Sequence, residues 1–216
     1  MKQIRAFEKL LIGIGLGRRL GFLLLLFLCH HDALSQPEEG EWMLSVYGGP
    51  SMMLTDFNTR KVGWCVEYFP QYGLSQNLSV GFLAGYNALK TEQNPLLKDP
   101  PYFYLKVNAI PLTLIGSWHF TSSQAVSPFL YAGAGVVLAL TQDGLGNYIS
   151  DRHVQAYGLF PLGAGLEFFV RKNLSLGFDL GVRIFGTDSV ERLRRGGPDA
   201  YVLGRVGVNF YHLEPD

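Results

Sequence analysis

The sequence has few charged residues and few cysteines, and each shortage excludes a class of protein. Asp, Glu, Lys and Arg make up 17% of the 216 residues, and the formal net charge is zero. A chain without a basic excess lacks the electrostatic signature of nucleic-acid binding, so no nucleic-acid partner is expected. Of the two cysteines, only Cys65 lies beyond residue 35, which excludes an internal disulfide there. The same part contains no run of 18 apolar residues, so no transmembrane helix is predicted in it.

The N-terminal segment has the pattern of a secretory signal peptide. Basic residues between Lys2 and Arg19 precede the apolar run LGFLLLLFLC at 20–29, which is too short to span a bilayer. Small residues follow in Ala33-Leu34-Ser35, a typical cleavage site. We therefore expect a signal peptide at 1–35, cleavage between Ser35 and Gln36, export, and one domain at 36–216.

Three other interpretations of this segment are weaker. A membrane anchor over 10–29 would be interrupted by Arg18 and Arg19. A lipoprotein signal ending at Cys29 would need a small residue where Leu28 stands. A twin-arginine signal at Arg18-Arg19 has poorly matching neighbours.

Glycine and aromatic residues are abundant, with 26 Gly and 13% aromatics, as expected for strands joined by tight turns. Eight strand-like runs follow one another, and the connections between them alternate between short turns and longer polar loops. Such sorting of loops to one end is typical of an up-and-down membrane barrel. The predicted strands are 42–54, 62–73, 77–90, 102–120, 129–141, 154–170, 174–187 and 201–212.

An alternation of period two is clearest in the seventh run, where apolar side chains from Leu174 to Ile184 alternate with small or polar ones from Ser175 to Arg183. The runs at 77–90, 129–141 and 201–212 repeat this pattern. We expect the apolar row to face lipid and the small or polar row to face inward. The predicted fold class is all-β: an eight-stranded antiparallel up-and-down transmembrane β-barrel.

Two details refine this prediction. The apolar phase of the fourth run changes, and a β-bulge near Ile110-Pro111 would explain the change. Aromatic residues cluster toward the strand ends, which predicts one girdle at each edge of the membrane. The turn-end girdle comprises Trp42, Trp118, Phe120, Phe129, Phe168 and Phe210, and the loop-end girdle comprises Trp64, Tyr86, Tyr102 and Phe103.

Three motifs carry a resemblance to a known family. They are Tyr47-Gly48-Gly49-Pro50, Ile110-Pro111-Leu112-Thr113-Leu114 and the PFLYAGAG segment at 128–135. In their order and spacing the chain resembles the outer-membrane β-barrel domain family, that is, small OmpX/OmpA-like and opacity-type barrels, here Bacteroidetes-like and PorT-like, over nearly all of 41–212. The resemblance implies an integral barrel inserted by the outer-membrane assembly machinery. Family members usually end on an aromatic residue, whereas Leu213 to Asp216 follow Phe210-Tyr211-His212 here.

Six charged residues are expected on the inward face, three of each sign. An eight-stranded barrel is just wide enough for side chains to fill, and a buried charge needs a partner. We therefore predict a lumenal charge network that closes the barrel, with a narrow polar conduit or a gated pore as the alternative. The six residues are Glu67, Lys106, Glu167, Asp179, Arg183 and Arg205.

Other candidate sites have weaker patterns. Arg192, Arg194 and Arg195 could contact phosphates of lipopolysaccharide or an acidic partner, or could simply form a solvated loop. Asp143, Asn147 and Asp151 could hold calcium, but their spacing fits no EF-hand. Ser117 and His119 share a strand face without an evident third acid, so no enzyme is predicted, and Cys65 is interpreted as a small inward core residue.

The expected function is a non-enzymatic protein of the outer membrane of a Gram-negative bacterium, structural or binding through its loops. The alternatives are a narrow channel for small or hydrophobic solutes and a component of a secretion apparatus. The expected partners are outer-membrane lipid, lipopolysaccharide and the assembly machinery. No cofactor or metal is expected, and no partner protein is identified.

Overall fold

Eight antiparallel strands close into one barrel in the computed structural model, with β1 paired to both β2 and β8. The predicted fold and strand number are confirmed. The structure describes residues 39–54, 59–92, 104–120, 125–143, 146–148, 154–187 and 199–212. The predicted leader at 1–35 and the arginines at 192–195 lie outside these residues. The strands are β1 (Trp42–Leu54), β2 (Thr59–Gly73), β3 (Leu78–Glu92), β4 (Tyr104–His119), β5 (Val126–Asp143), β6 (Gln155–Arg171), β7 (Leu174–Phe185) and β8 (Ala200–His212).

The connections sort by length between the two ends of the barrel. At the end that holds Trp42 and His212, the turn end, the strands are joined through 74–77, 120–125 and 172–173. Longer segments at 93–103, 144–154 and 186–199 join the strands at the opposite, loop end. The first connection differs from the prediction: β2 begins at Thr59, so 55–58 is as short as 74–77. No helix long and apolar enough to cross a membrane occurs within the described ranges.

The side chains divide between the faces as the alternation predicts for β3, β5, β7 and β8. On β7, the residues from Ser175 to Phe185 that face the interior are buried, whereas Leu180 on the outer face is 74% exposed. Many other outward side chains are large and apolar; they include Val62, Leu114, Leu130, Phe160, Leu162, Phe178 and Val206. The apolar row therefore lies outside, which is the reverse of a soluble barrel.

The predicted β-bulge at Ile110-Pro111 is wrong. Residues of β4 pair with β5 in one continuous register through Ile110↔Leu138 and Pro111↔Val137. Pairing with β3 is interrupted beside Ile110-Pro111 but resumes in the same register. Register shifts lie elsewhere, between Lys61 and Trp64 on β2 and between Phe169 and Arg171 on β6.

The interior toward the loop end is apolar, contrary to the expectation of small or polar inward residues. Leu105 and Val107 face inward from β4. The apolar residues of this strand change phase along its length, so the direction of each side chain is set by the pairing with β3 and β5. Leu105 and Val107 join an apolar layer that seals this half of the lumen. Its members are Met53, Cys65, Leu89, Val107, Ala109, Val137, Ala139, Leu159, Phe185, Tyr201 and Leu203, with Leu105 equally buried.

Aromatic residues mark both edges of the apolar exterior. Trp42, Trp118 and Phe120 are more than half exposed at the turn end. At the loop end, the rings of Trp64 and Tyr86 lie 5.2 Å apart on the outer face. Phe129 was expected in the turn-end girdle, but it points inward and packs with Tyr131. Tyr102 and Phe103 lie outside the described residues.

Candidate functional site

Glu67 holds together an ion-pair cluster inside the barrel. The Arg183 Nη2 donates a hydrogen bond of 3.0 Å to Glu67 Oε2, and Arg205 Nη1 donates to the same oxygen. Glu67 comes from β2, while the arginines come from β7 and β8, so these bonds cross the lumen rather than the wall. We call Glu67, Asp179, Arg183 and Arg205 the lumenal network; each is at most 5% exposed.

Asp179 completes the network from the neighbouring strand pair. It lies directly opposite Arg205 in the β7–β8 register. Arg205 donates from Nε to Asp179 Oδ1 over 2.9 Å and from Nη2 to Oδ2 over 2.6 Å. This two-pronged geometry is the strong form of an arginine–carboxylate pair. With two acids and two arginines, the four residues are electrically balanced, which buried charges require.

Two tyrosines and an asparagine support the network. The Tyr131 hydroxyl accepts hydrogen bonds from Arg183 Nη1 at 3.2 Å and from Arg205 Nη2 at 3.1 Å. Arg183 also lies 5.3 Å from the centre of the Tyr131 ring, and Arg205 lies 5.2 Å from that of Tyr47. Asn87 donates to Glu67 Oε1 over 3.2 Å. Each guanidinium is therefore held both by carboxylate oxygens and by an aromatic face.

Glycines on the inward rows make room for these rings. A Cβ at Gly163 would overlap the Tyr131 ring, and one at Gly177 would overlap the ring of Tyr47. Glycine is needed at both positions because any side chain would enter the space that the ring occupies. The glycine-rich inward row seen in the sequence thus marks where tyrosines from β1 and β5 fill the lumen.

Glu167 lies outside the lumenal network, in a separate polar cluster toward the turn end. Its Oε1 accepts hydrogen bonds from Ser175, from Tyr211 and, over 2.7 Å, from Asn209 Nδ2. Its Oε2 lies 3.7 Å from His119 Nδ1. The carboxyl is therefore held by neutral hydrogen-bond donors, with His119 beside it but not hydrogen-bonded to it, and not by an arginine as in the lumenal network.

Ser117 and His119 both point into the barrel beside this cluster, and both are buried. Glu167 provides the acid that the sequence did not place near them. However, Ser117 Oγ and both ring nitrogens of His119 make no hydrogen bond to the described part of the chain. A hydrolase needs its base hydrogen-bonded to the nucleophile, so the three residues are not assembled as a catalytic triad.

Lys106 does not belong to the lumen, contrary to the prediction. It lies on the outer face of β4, between the buried inward residues Leu105 and Val107. The continuous register of β4 explains this placement, because it directs odd-numbered residues inward over the whole strand.

The candidate calcium site is incomplete in the described residues. Asn147 donates from its backbone to Asp143 Oδ1 over 2.8 Å and from Nδ2 to Oδ2 over 3.2 Å. Asp151 lies outside those residues, and no group of three or more His, Cys, Asp or Glu suited to a metal is found within them. The loop arginines Arg192, Arg194 and Arg195 stay an untested prediction. Cys65 is buried, and its Sγ lies 3.4 Å from the Gly49 carbonyl oxygen.

Tyr47, Tyr131 and Asn87 were not among the predicted site residues. All three share the inward parity of their strands, and Tyr131 alternates with Gly133 and Gly135 in the sequence. A large polar ring in a row of glycines was the available signal. Asn87 had no such signal in the sequence.

A small cavity separates the lumenal network from the Glu167 cluster. It has a volume of about 20 Å³, with Ser117, His119, Glu167, Asp179 and Arg205 among its lining residues. A space of this size can hold about one water molecule, and its polar lining suits one. Between this cavity and the loop end, the lumenal network and the apolar layer fill the lumen with side chains.

Solved structures of two bacterial proteins resemble this one. Neisserial surface protein A (NspA) is 14% identical over 80% of this chain and 99% of its own, with a TM-score of 0.58. The N-terminal β-barrel domain of Pseudomonas aeruginosa OprF is 13% identical over 82% of this chain and 100% of its own, with a TM-score of 0.51. The chain has the fold of a small outer-membrane β-barrel.

Neither a protein-family model nor a curated protein matches the sequence. At such low identities, the similarity to the two solved structures is one of fold. The OmpX/OmpA-like part of the resemblance agrees with these neighbours, whereas a Bacteroidetes origin and a PorT-like role are not supported by them.

Proposed function

We propose that the chain is an integral outer-membrane barrel with a closed lumen, which serves a non-enzymatic structural role or binds partners through its loops. The observation that carries this proposal is the inverted distribution of side chains. Large apolar residues cover the outside, while buried charges hold the inside together.

The exterior supports a membrane location. The strands are 12 to 18 residues long, and a tilted strand needs about 9–11 residues to cross a bilayer. Contiguous apolar surface on this scale is not tolerated in water. The outward-facing aromatics at the two ends, Trp42 and Trp118 against Trp64 and Tyr86, suit the two headgroup regions.

The interior supports a closed barrel. Glu67, Arg183 and Arg205 meet across the lumen, and the Tyr131 ring fills the space beside the two guanidinium groups. Solutes moving along the axis would have to separate buried ion pairs, which is strongly unfavourable. Function is therefore assigned to the loops and to the outer surface.

Fractionation and conductance test the proposal. The exported chain should sediment with outer membranes and require detergent for extraction. Reconstituted in a planar bilayer, the folded protein should give no conductance steps above background. A chain soluble without detergent would contradict the membrane location and would indicate a secreted, lipocalin-like barrel instead. Reproducible conductance steps would favour the narrow channel.

A further inference from the structure

Three lysines form a row on the outer face of the barrel near the loop end. Lys61 on β2 pairs directly with Lys90 on β3, and Lys90 pairs directly with Lys106 on β4. Residues paired in this way project from the same face, with Cβ atoms about 4.5–5.5 Å apart. Three like charges therefore lie side by side across neighbouring strands.

Such a row is unfavourable by itself, because like charges directly opposite each other destabilise a strand pair. Lys61 already has an interaction within the chain, so the argument rests on the other two. Neither Lys90 nor Lys106 has a carboxylate partner in the part of the chain that the structure describes. An external anion would offset their repulsion.

A hydrogen-bond donor lies next to the row. Asn108 follows Lys106 on the same face of β4, two residues away. The Tyr86 hydroxyl donates to Asn108 Oδ1 over 2.7 Å, which fixes the orientation of the amide. Its Nδ2 is then left to donate outward, so an oriented amide lies on the same face as the lysines, one outward row away.

The patch lies at the edge of the proposed membrane belt. Trp64, Ala88 and Asn108 form the next outward row toward the barrel centre, about 7 Å away at the rise of a strand. Trp64 packs on Tyr86 and marks the headgroup region. Lys90 and Lys106 are half-buried, as expected for long basic side chains that pack their apolar stems on the sheet and keep the charge in a polar layer.

We propose that Lys90 and Lys106, together with Asn108, bind a phosphate group on the headgroup of an outer-leaflet lipid, with Lys61 adjacent in the same row. This inference rests on the proposed membrane location. A lipid phosphate fits better than an acidic protein because the patch faces sideways into the headgroup layer, where phosphates are already concentrated. Charge complementarity supplies attraction, and the row of lysines supplies several donors to one anion.

Trp64 allows the site to be tested directly. The variant Trp42→Phe, Trp118→Phe keeps Trp64 as its single tryptophan, and its fluorescence then reports on the patch. The full-length mature protein, folded in maltoside micelles, is titrated with bisphosphorylated lipid A and, separately, with the same lipid dephosphorylated. Only the phosphorylated lipid should shift the emission, and added salt should weaken the effect.

The comparison of variants decides the assignment. Lys90→Gln, Lys106→Gln should weaken the apparent affinity for phosphorylated lipid A about tenfold or more, since two charge-assisted contacts are lost. The matched control Arg171→Gln, Lys172→Gln removes two exposed basic residues from the turn end and should leave the affinity unchanged. Retention of a folded barrel's heat-modifiable gel mobility establishes that each variant is folded.

Several outcomes would overturn the inference. They are equal affinity in the Lys90→Gln, Lys106→Gln variant, an equal response to dephosphorylated lipid A, and an equal response to inorganic phosphate or to a polyglutamate peptide. A response to inorganic phosphate would identify a free anion as the ligand, and a response to polyglutamate would identify an acidic protein. If the chain fractionates with membranes, any of these results contradicts only the lipid site. If the chain is soluble, the proposed membrane function is contradicted as well.

Discussion

Glu67 and Arg183 stand on strands that are not neighbours, β2 and β7, yet Arg183 Nη2 lies 3.0 Å from Glu67 Oε2 across the lumen. The pair is fully buried, and 116 residues separate its partners in the chain. It ties opposite parts of the wall together where hydrogen bonds between strands cannot reach. Strand pairing closes the wall of the barrel, and side chains such as these fill its lumen.

Replacing Arg183 by Leu should lower the free energy of unfolding by about 3 kcal/mol, because Glu67 then keeps only part of its compensation while buried. Urea unfolding of the protein in micelles, followed by heat-modifiable gel mobility, measures this loss. The double variant Glu67→Leu, Arg183→Leu leaves the Asp179–Arg205 pair intact and should be less destabilised than Arg183→Leu alone. Strict additivity of the two substitutions would contradict the network.

Gly163→Ala should destabilise the barrel by about 1–3 kcal/mol, because the new methyl group would overlap the Tyr131 ring. Gly116→Ala is the matched control: the nearest atom to its Cβ would be 4.0 Å away, so little change is expected. Both are measured by urea unfolding in micelles. Equal effects of the two substitutions would show that the ring does not determine the need for glycine.

Leu180→Arg separates a membrane barrel from a soluble one. At 74%, Leu180 is the most exposed large apolar side chain in the described part of the chain, and an arginine there would carry no cost in water. In a bilayer, arginine on the lipid face costs about 2–4 kcal/mol at mid-depth. Folding into lipid vesicles should weaken accordingly, whereas Leu74→Arg in the 74–77 turn should have almost no effect. A neutral Leu180→Arg would contradict the lipid-facing assignment.

Cys65 reports on water in the lumen. It is 1% exposed and belongs to the apolar layer, so a water-soluble thiol reagent should leave it unmodified in the folded mature protein and modify it after denaturation. Tyr148→Cys in a Cys65→Ser background places a thiol at a position that is 43% exposed and should react at once. Mass spectrometry measures both reactions. Rapid labelling of Cys65 in the folded state would indicate a water-filled channel.

The strands and their outward faces were predictable because the signal is local. On β7, every second residue from Leu174 to Ile184 is apolar, and period two alone assigns that row to one face. Lipid then selects the apolar row for the outside. The same reasoning placed Glu67, Asp179, Arg183 and Arg205 inward, since each lies in the phase opposite to an apolar row.

The fourth strand shows where local reasoning fails. The apolar residues of β4 change phase along the strand, from Leu105 and Val107 to Leu112, so alternation cannot assign a single apolar row to the outside. The register with β3 and β5 decides, and it turns Lys106 outward. The prediction that Phe129 belongs to the turn-end girdle was wrong for a related reason. An aromatic residue near a strand end is equally compatible with an outer girdle and with an interior layer.

The number of strands, the apolar exterior and the need to pair buried charges are readable from the residue order, because they follow from periodicity and from the cost of desolvating a charge. Which charges meet depends instead on how the strands are arranged around the barrel. The pairing of β1 with β8 closes the barrel and fixes the position of each strand along the barrel axis. Glu67 thereby lies at the same position along the axis as Arg183 and Arg205. The same arrangement also moves Glu167 to a separate cluster and leaves Lys106 in a row of lysines outside the barrel.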